Sequence, residues 1–339
     1  GAAAAVSPVA ELQTGLTELL VERVHVAAAV TRAAAAGDAE PELAALDEIS
    51  VALADVLGAT YSAARAPLLE ALRDSDRLLA AHAVELARGG GRDERAAVAA
   101  AQREVARMLR RVVPTLDEEE VARRLGADLG AQLSATTYDG LRGAGRDAAE
   151  TARLLTAAIA ADRGLGPATG QAVRWRADAS GLLTEHVALL AALAAELRDP
   201  GPGSVGARAA LDANAAELAA LLGERYPALA GSFARTWTAH LDRLETYAAA
   251  RAAGRPAEPG LLRGLPAELA RLLAEHIRGL PARSAQAELE PALAAQLIAV
   301  DAAAQDLPTA AETLRDAVAA ALPAAALVSA AAAEDLSLT

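Results

Sequence analysis

The chain has 339 residues, of which 53% are hydrophobic and 2% aromatic, with no Cys and a net charge of −13 at pH 7. Every one of the 32 basic residues is Arg. That excludes Schiff-base chemistry, a Lys general base and a phosphate loop ending in Gly-Lys-Ser/Thr, while the missing Cys excludes disulfides, thiol nucleophiles and thiolate metal sites. An acidic balance without an Arg-rich face speaks against nucleic acid and anionic membrane surfaces, which select basic footprints.

The apolar residues are nearly all Ala, Leu and Val. Ala and Leu, with Arg and Glu, favour helix, whereas strands want β-branched and aromatic residues. The expected class is all-α. Small side chains should bring helix axes toward the short end of roughly 8–10 Å. Ala with Arg and no Lys points to a GC-rich bacterial genome. A Cys-free chain suits reducing and oxidising compartments alike.

In chain order, Gly1–Val6 (GAAAAV) reads as a mature N-terminus left by cleavage or as an appended scar, without the basic and apolar parts of a signal peptide. Turn signals follow at Gly37-Asp38, Gly89–Gly91, Gly143–Gly145, Pro200–Pro202, Gly254 and Asp306–Pro308. Each is expected to separate the two helices of a hairpin, which predicts six hairpins of about 50 residues and twelve helices. Arg23, Ser75, Asp128, His186, His240 and Ala292 then share one register in the six leading helices. Pro41, Pro67, Pro227, Pro259, Pro266, Pro281, Pro291 and Pro308 are expected near first turns. Pro323 falls inside a helix, where it should kink or end it. Thr115 or Asp117 is the expected cap of the helix beginning with Glu118–Glu120, whose charges suit the N-terminal dipole. Gly164–Gly170 (GLGPATG) is one residue too long for a dinucleotide fingerprint and follows no strand, so it reads as a linker. The longest uncharged apolar stretch, Ala317–Ala333, is shorter than the roughly 20 residues of a membrane span and contains Pro323, so no transmembrane segment is expected.

Two segments repeat. Ala44–Tyr61 (AALDEISVALADVLGATY) and Ala209–Tyr226 (AALDANAAELAALLGERY) share Leu, Asp, Leu, Ala, Leu, Gly and Tyr at an offset of 165. Ala131-Gln132-Leu133 recurs as Ala295-Gln296-Leu297, and Leu19-Leu20-x-Glu22 as Leu182-Leu183-x-Glu185. A nearly constant offset predicts a tandem duplication: one helical-bundle repeat over 8–163, a linker over 164–172 and a second repeat over 173–335. Two compact bundles and one curved solenoid both fit this pattern.

Rare residues gather between Leu182 and Gly254. His186 and His240 share a register, with Glu185, Asp242 and Glu245 near them in sequence. One reading is a metal or cofactor site of His186, His240 and Glu185 between neighbouring helices; the other is a pair of hydrogen-bonded helix residues. Neither helix carries a second ligand one turn away, where Leu182, Leu190, Thr236 and Leu244 stand. Phe233, Trp237 and Tyr247 either line a pocket for an apolar or planar ligand or fill the core; Leu72 and His82 take the places of Trp237 and Tyr247 in the first half. Asp212 and Asn214 suit a cap or a hydrogen bond to a neighbouring helix. No nucleophile elbow, His-Glu-x-x-His or acidic calcium loop occurs, and no cofactor is specified.

At Glu185-His186, Leu211-Asp212-x-Asn214 and Trp237-x-x-His240 with Tyr247 beyond, the chain resembles a family of exported bacterial all-α helical-hairpin proteins of unassigned function. The likeness is best over 182–254 and faint in the first half. Arg23, Ser75, Asp128 and Ala292 stand where a repeated His would be. The resemblance implies a helical fold and export, hence a secreted or cell-surface location, with a cytoplasmic one left open. The expected function is a non-enzymatic helical binding or scaffold protein with a protein partner or self-association. The alternative is a metal- or cofactor-binding bundle centred on His186 and His240, and the third is a hydrolase or lyase using carboxylates alone.

Overall fold

The structure is a computed structural model that describes residues 7–90, 92–133, 138–166, 168–199, 206–257, 260 and 264–338. Among them it holds twelve α-helices and no strand, the all-α class expected. The helices are α1 (Pro8–Ala36), α2 (Glu40–Thr60), α3 (Arg65–Ala87), α4 (Arg92–Val112), α5 (Glu118–Leu133), α6 (Tyr138–Arg163), α7 (Gln171–Arg198), α8 (Gly206–Gly223), α9 (Pro227–Ala252), α10 (Leu265–His276), α11 (Ala282–Ala304) and α12 (Ala310–Asp335). A 3₁₀ turn, Ser62–Ala64, links α2 to α3.

Several helix ends follow the expected chemistry. Gly37 takes φ +99° after α1, and the Asp38 amide donates back to the Ala33 carbonyl at 3.1 Å. This six-to-one closure needs a left-handed residue, which Gly adopts without a Cβ penalty. Asp306 does the same after α11 with φ +55°, the Leu307 amide reaching Ala302 at 2.9 Å. At the start of α5 the Asp117 carboxylate accepts from the Glu120 amide at 3.0 Å, so Asp117 is the cap; the Thr115 hydroxyl goes to Ala158 instead.

Two expectations are corrected. Gly143, Ala144 and Gly145 make no turn: they lie inside α6. Leu141, Ala144 and Ala148 pack there against Val21, Val24 and Ala28 of α1. Small residues on that face allow close approach, and the packing outweighs the roughly 1 kcal/mol helix penalty of a Gly. Pro291 lies in the middle of α11 rather than at a first turn, which falls after Pro281. Pro323 is inside α12 as expected, yet the helix does not end there. The turn signal at Pro200–Pro202 and Pro259 lie outside the described residues.

The chain divides into two compact units, Glu11–Thr169 and Gly170–Thr339 with Gly1–Ala10. Each carries the same punctuation. Tyr61 follows the last residue of α2 at φ −132°, ψ 76°, and Tyr226, three residues after α8 and just before α9, has φ −127°, ψ 71°. Both rings are buried, and their hydroxyls donate to Asp162 at 2.8 Å and to Asp335 at 3.1 Å.

In the second unit α7 packs against α8, α9, α11 and α12. Every residue from Thr184 to Leu190 is buried, so α7 is enclosed on all sides over two turns. Windows in α7 and α12 are long and apolar enough to cross a membrane by length and composition. Both helices pack within this bundle, and no clear transmembrane segment stands out among the described residues.

Candidate functional site

The middle of α7 places the site. Glu185 and His186 project from its enclosed turns, Asn214 comes from α8, Phe233, Trp237 and His240 from α9, and Gln296 from α11. Phe233, Trp237 and His240 are four and three residues apart, which puts all three on one helical face. That face is apolar above and below, so folding α9 onto α7 carries the imidazole and indole inward.

These groups are sealed from solvent. His186 and Asn214 are 0% exposed, His240 1%, Gln296 3% and Trp237 4%. The His186 ring centre lies 4.9 Å from the Trp237 ring and 6.5 Å from the His240 ring; Trp237 and His240 are 5.5 Å apart edge to face. Phe233 stacks on Trp237 at 5.2 Å. Asn214 holds Glu185: its amide nitrogen donates to Glu185 Oε2 at 2.8 Å and to the Leu182 carbonyl at 2.9 Å.

Both imidazoles are neutral. Burial lowers His186 to about 4, with the Asn214 side chain opposing in part. Burial, then the neighbouring His186, lowers His240 to about 3, against a smaller opposing effect of Gln296. None of the four ring nitrogens has a hydrogen-bond partner of normal geometry, and neither do Trp237 Nε1, Asn214 Oδ1 or Gln296 Oε1. A buried polar group with no partner costs on the order of 1–3 kcal/mol, and native proteins leave few. Here seven such atoms belong to five neighbouring or facing side chains.

The chain matches no protein-family model, no curated protein and no solved structure.

The motif residues thus come together in part. Glu185, His186, Asn214, Trp237 and His240 form one buried group, while Asp212, Asp242 and Glu245 do not join it. Those three carboxylates surround Arg208 toward the surface, with Arg208 2.6 Å from Asp242 and 3.0 Å from Asp212. Tyr247 leaves the aromatic trio: its hydroxyl reaches Asp301 at 3.3 Å, ten residues along α9 from Trp237. Gln296 was not singled out by sequence, although the recurring Ala-Gln-Leu triplet contains it. Among the described residues no three of His, Asp, Glu and Cys gather as a metal-binding group.

The first unit carries a different arrangement at the matching registers. Arg23 pairs with Asp76, donates to Ser50 at 2.9 Å, and Ser50 donates to Asp76 at 2.8 Å. Next to Asp76, Ser75 accepts from Gln102 at 2.8 Å. This network closes on itself, whereas the imidazoles of the second unit have only Asn214 and Gln296 as polar neighbours and no hydrogen bond of normal geometry. An enclosed pair of neutral imidazoles presents one nitrogen lone pair and one N–H donor per ring, beside the N–H of an indole.

Proposed function

We propose that this is a non-enzymatic, exported helical binding protein, built by duplication of a six-helix bundle, whose binding element is the His186–His240 core of the second unit. The observation that carries the reading is a pair of neutral imidazoles in a solvent-free interior, none of whose four nitrogens makes a hydrogen bond of normal geometry. Folding would remove such a pair if packing were its only task, because apolar residues of similar volume avoid the desolvation cost. The matched Tyr61 and Tyr226 ends support the duplication, with the two bundles diverged at the matching registers, an Arg23–Ser50–Asp76 network in one and the His186–His240 pair in the other. Export rests on the resemblance at Glu185-His186, Leu211-Asp212-x-Asn214 and Trp237-x-x-His240.

Native mass spectrometry and thermal melts of the purified chain test this. We expect a stoichiometric non-covalent mass, or one acquired from a small-ligand panel, that raises the melting midpoint and is lost in His240→Leu. Binding sites commonly sacrifice stability, so the ligand-free His240→Leu protein should melt at or above the ligand-free wild type. A bare polypeptide mass with no ligand-dependent midpoint would overturn the reading.

A further inference from the structure

Carboxylates outnumber arginines 45 to 32 in this chain, and Arg23, Arg73, Arg208 and Arg251 each pair with one or more of them. The outer face of α4 departs from that pattern. Arg103, Arg107, Arg110 and Arg111 are exposed there, at spacings of four, three and one residues that put all four on one face over about 12 Å. Val98, Val105, Ala106 and Leu109 are buried on the opposite face, and the helix packs against α3 and α5. Arg107 pairs with Glu104 and lies 4.0 Å from Glu118. Arg103, Arg110 and Arg111 have no ion pair or hydrogen bond with a described residue. Like charges three and four residues apart on a helix repel, and Glu104 and Glu118 offset that cost only at Arg107. The overall acidity had hidden this stripe: an Arg-rich face was not expected from the sequence.

Met108 and Val112, both half-buried, stand on the flank of α4 beside the stripe. With Leu57, Tyr61, Leu68 and Val113 they line an apolar notch of about 10 Å³, about the space of a single water or methyl group. The second unit has neither feature. At the repeat offset, the buried Leu229 and Phe233 stand in place of Ala64 and Leu68, and Arg271, the one Arg of α10, is paired with Glu275. The matched close contacts of Gly58 with Arg65 and of Gly223 with Ala230 fix that register. A row of guanidinium groups selects an anion, and carboxylates match the fork with two parallel hydrogen bonds. Single-stranded nucleic acid would bring phosphates and seek exposed aromatic rings for its bases; this face offers none. A membrane surface would need large apolar groups to insert; among the described residues Leu86, Ile298 and Leu307 are the exposed ones, and none is on α4. An acidic peptide segment presents carboxylates and an aliphatic tip together, which is the complement of stripe and notch.

We propose that the Arg103–Arg111 stripe of α4 and the adjoining notch at Met108 and Val112 are a docking surface for an acidic segment of a partner protein, its carboxylates on the arginines and one aliphatic side chain in the notch. This surface belongs to the first unit and goes beyond the His186–His240 reading, on which it does not rest.

Binding of the full chain to a fluorescein-labelled peptide repeating Glu-Glu-Leu is followed by fluorescence anisotropy, with an oligoglutamate, a single-stranded DNA oligonucleotide and phosphatidylserine vesicles as competing probes. The peptide should bind more tightly than the oligoglutamate, and its affinity should fall as salt rises. Arg110→Glu combined with Arg111→Glu changes two exposed side chains, so circular dichroism should be preserved while the peptide is weakened by about 10-fold or more. Met108→Gln should weaken the peptide and leave the oligoglutamate unchanged, which separates the notch from the charge. Arg271→Gln, in the second unit, should leave both unchanged. No salt-dependent binding by the folded wild type, binding unaltered by the charge reversal, or DNA or vesicles held more tightly than the peptide overturns the proposal. So does a dimer in the native mass spectrum that the charge reversal dissolves, since the occupant is then a second copy of this chain. None of these outcomes touches the His186–His240 reading, which His240→Leu tests.

Discussion

At the scale of single residues, the buried histidines were visible as rare side chains, but their state was not. His25 shows this. It sits on α1 at 7% exposure, and burial first, then the charges of Arg32 and Arg142, lower it to about 4 from 6.5. Its folded pKa is depressed, so between pH 6.5 and 4 the unfolded chain binds a proton that the folded chain refuses. The contribution is intact above pH 6.5 and is lost as the pH falls, by about 1.4 kcal/mol per pH unit and about 3 kcal/mol in total. Urea midpoints measured between pH 7.5 and 4.5 should show a slope that His25→Phe reduces by one proton; an unchanged slope would refute the burial argument. Sequence did not single out His25, because one His on an apolar helix face carries no mark of what covers it. Gln296 escaped for the same reason. Asn214 was readable as a residue that hydrogen-bonds a neighbouring helix, and it does so to Leu182 and Glu185 of α7.

Among elements, helix number and most helix ends were legible, because a cap or left-handed residue acts within a few positions. The failures have the same root. A Gly does not by itself set a turn, and in α6 the packing of Leu141, Ala144 and Ala148 on α1 decides, while a Cβ at Gly143 would meet nothing within 4 Å. Gly58 and Gly223 mark a close contact instead. A Cβ at Gly223 would stand 2.9 Å from the Ala230 Cβ, and one at Gly58 2.8 Å from the Arg65 Cβ. Both glycines let one helix end pass close to the start of the next. Gly223→Ala should therefore destabilise the protein by about 1–2 kcal/mol, overpacking outweighing the gain in helix propensity. Gly231 is exposed within α9, and a Cβ there would meet only the Arg235 guanidinium at 3.7 Å. Gly231→Ala should be neutral or stabilise by up to about 1 kcal/mol. Chemical-denaturation midpoints of the two variants, compared with wild type, check the contrast; equal effects would sink it.

Over the whole molecule, two compact units allow their stabilities to be read separately. Trp175 and Trp237 both belong to the second unit, so indole fluorescence reports on that unit, while circular dichroism reports on both. Arg23 and Asp76 form a largely buried pair in the first unit, with side chains 13% and 7% exposed. Removing one partner of such a pair leaves an uncompensated charge and costs about 3 kcal/mol. Asp76→Asn should lower the dichroism midpoint and leave the fluorescence midpoint in place, as expected for units with their own cores; a joint shift would contradict that. The helical class, the positions of most turns and the recurrence of Leu-Asp…Leu-Gly…Tyr could be read from residues in order, since propensity, capping and periodicity act over one or two turns. The meeting of α7, α8, α9 and α11 could not. Whether a His finds a partner depends on side chains far away in the chain, and burial is a property of the packed assembly rather than of any window. That is why rare residues marked where to look, and only packing showed that Asp242, Glu245 and Tyr247 stand apart while Gln296 belongs.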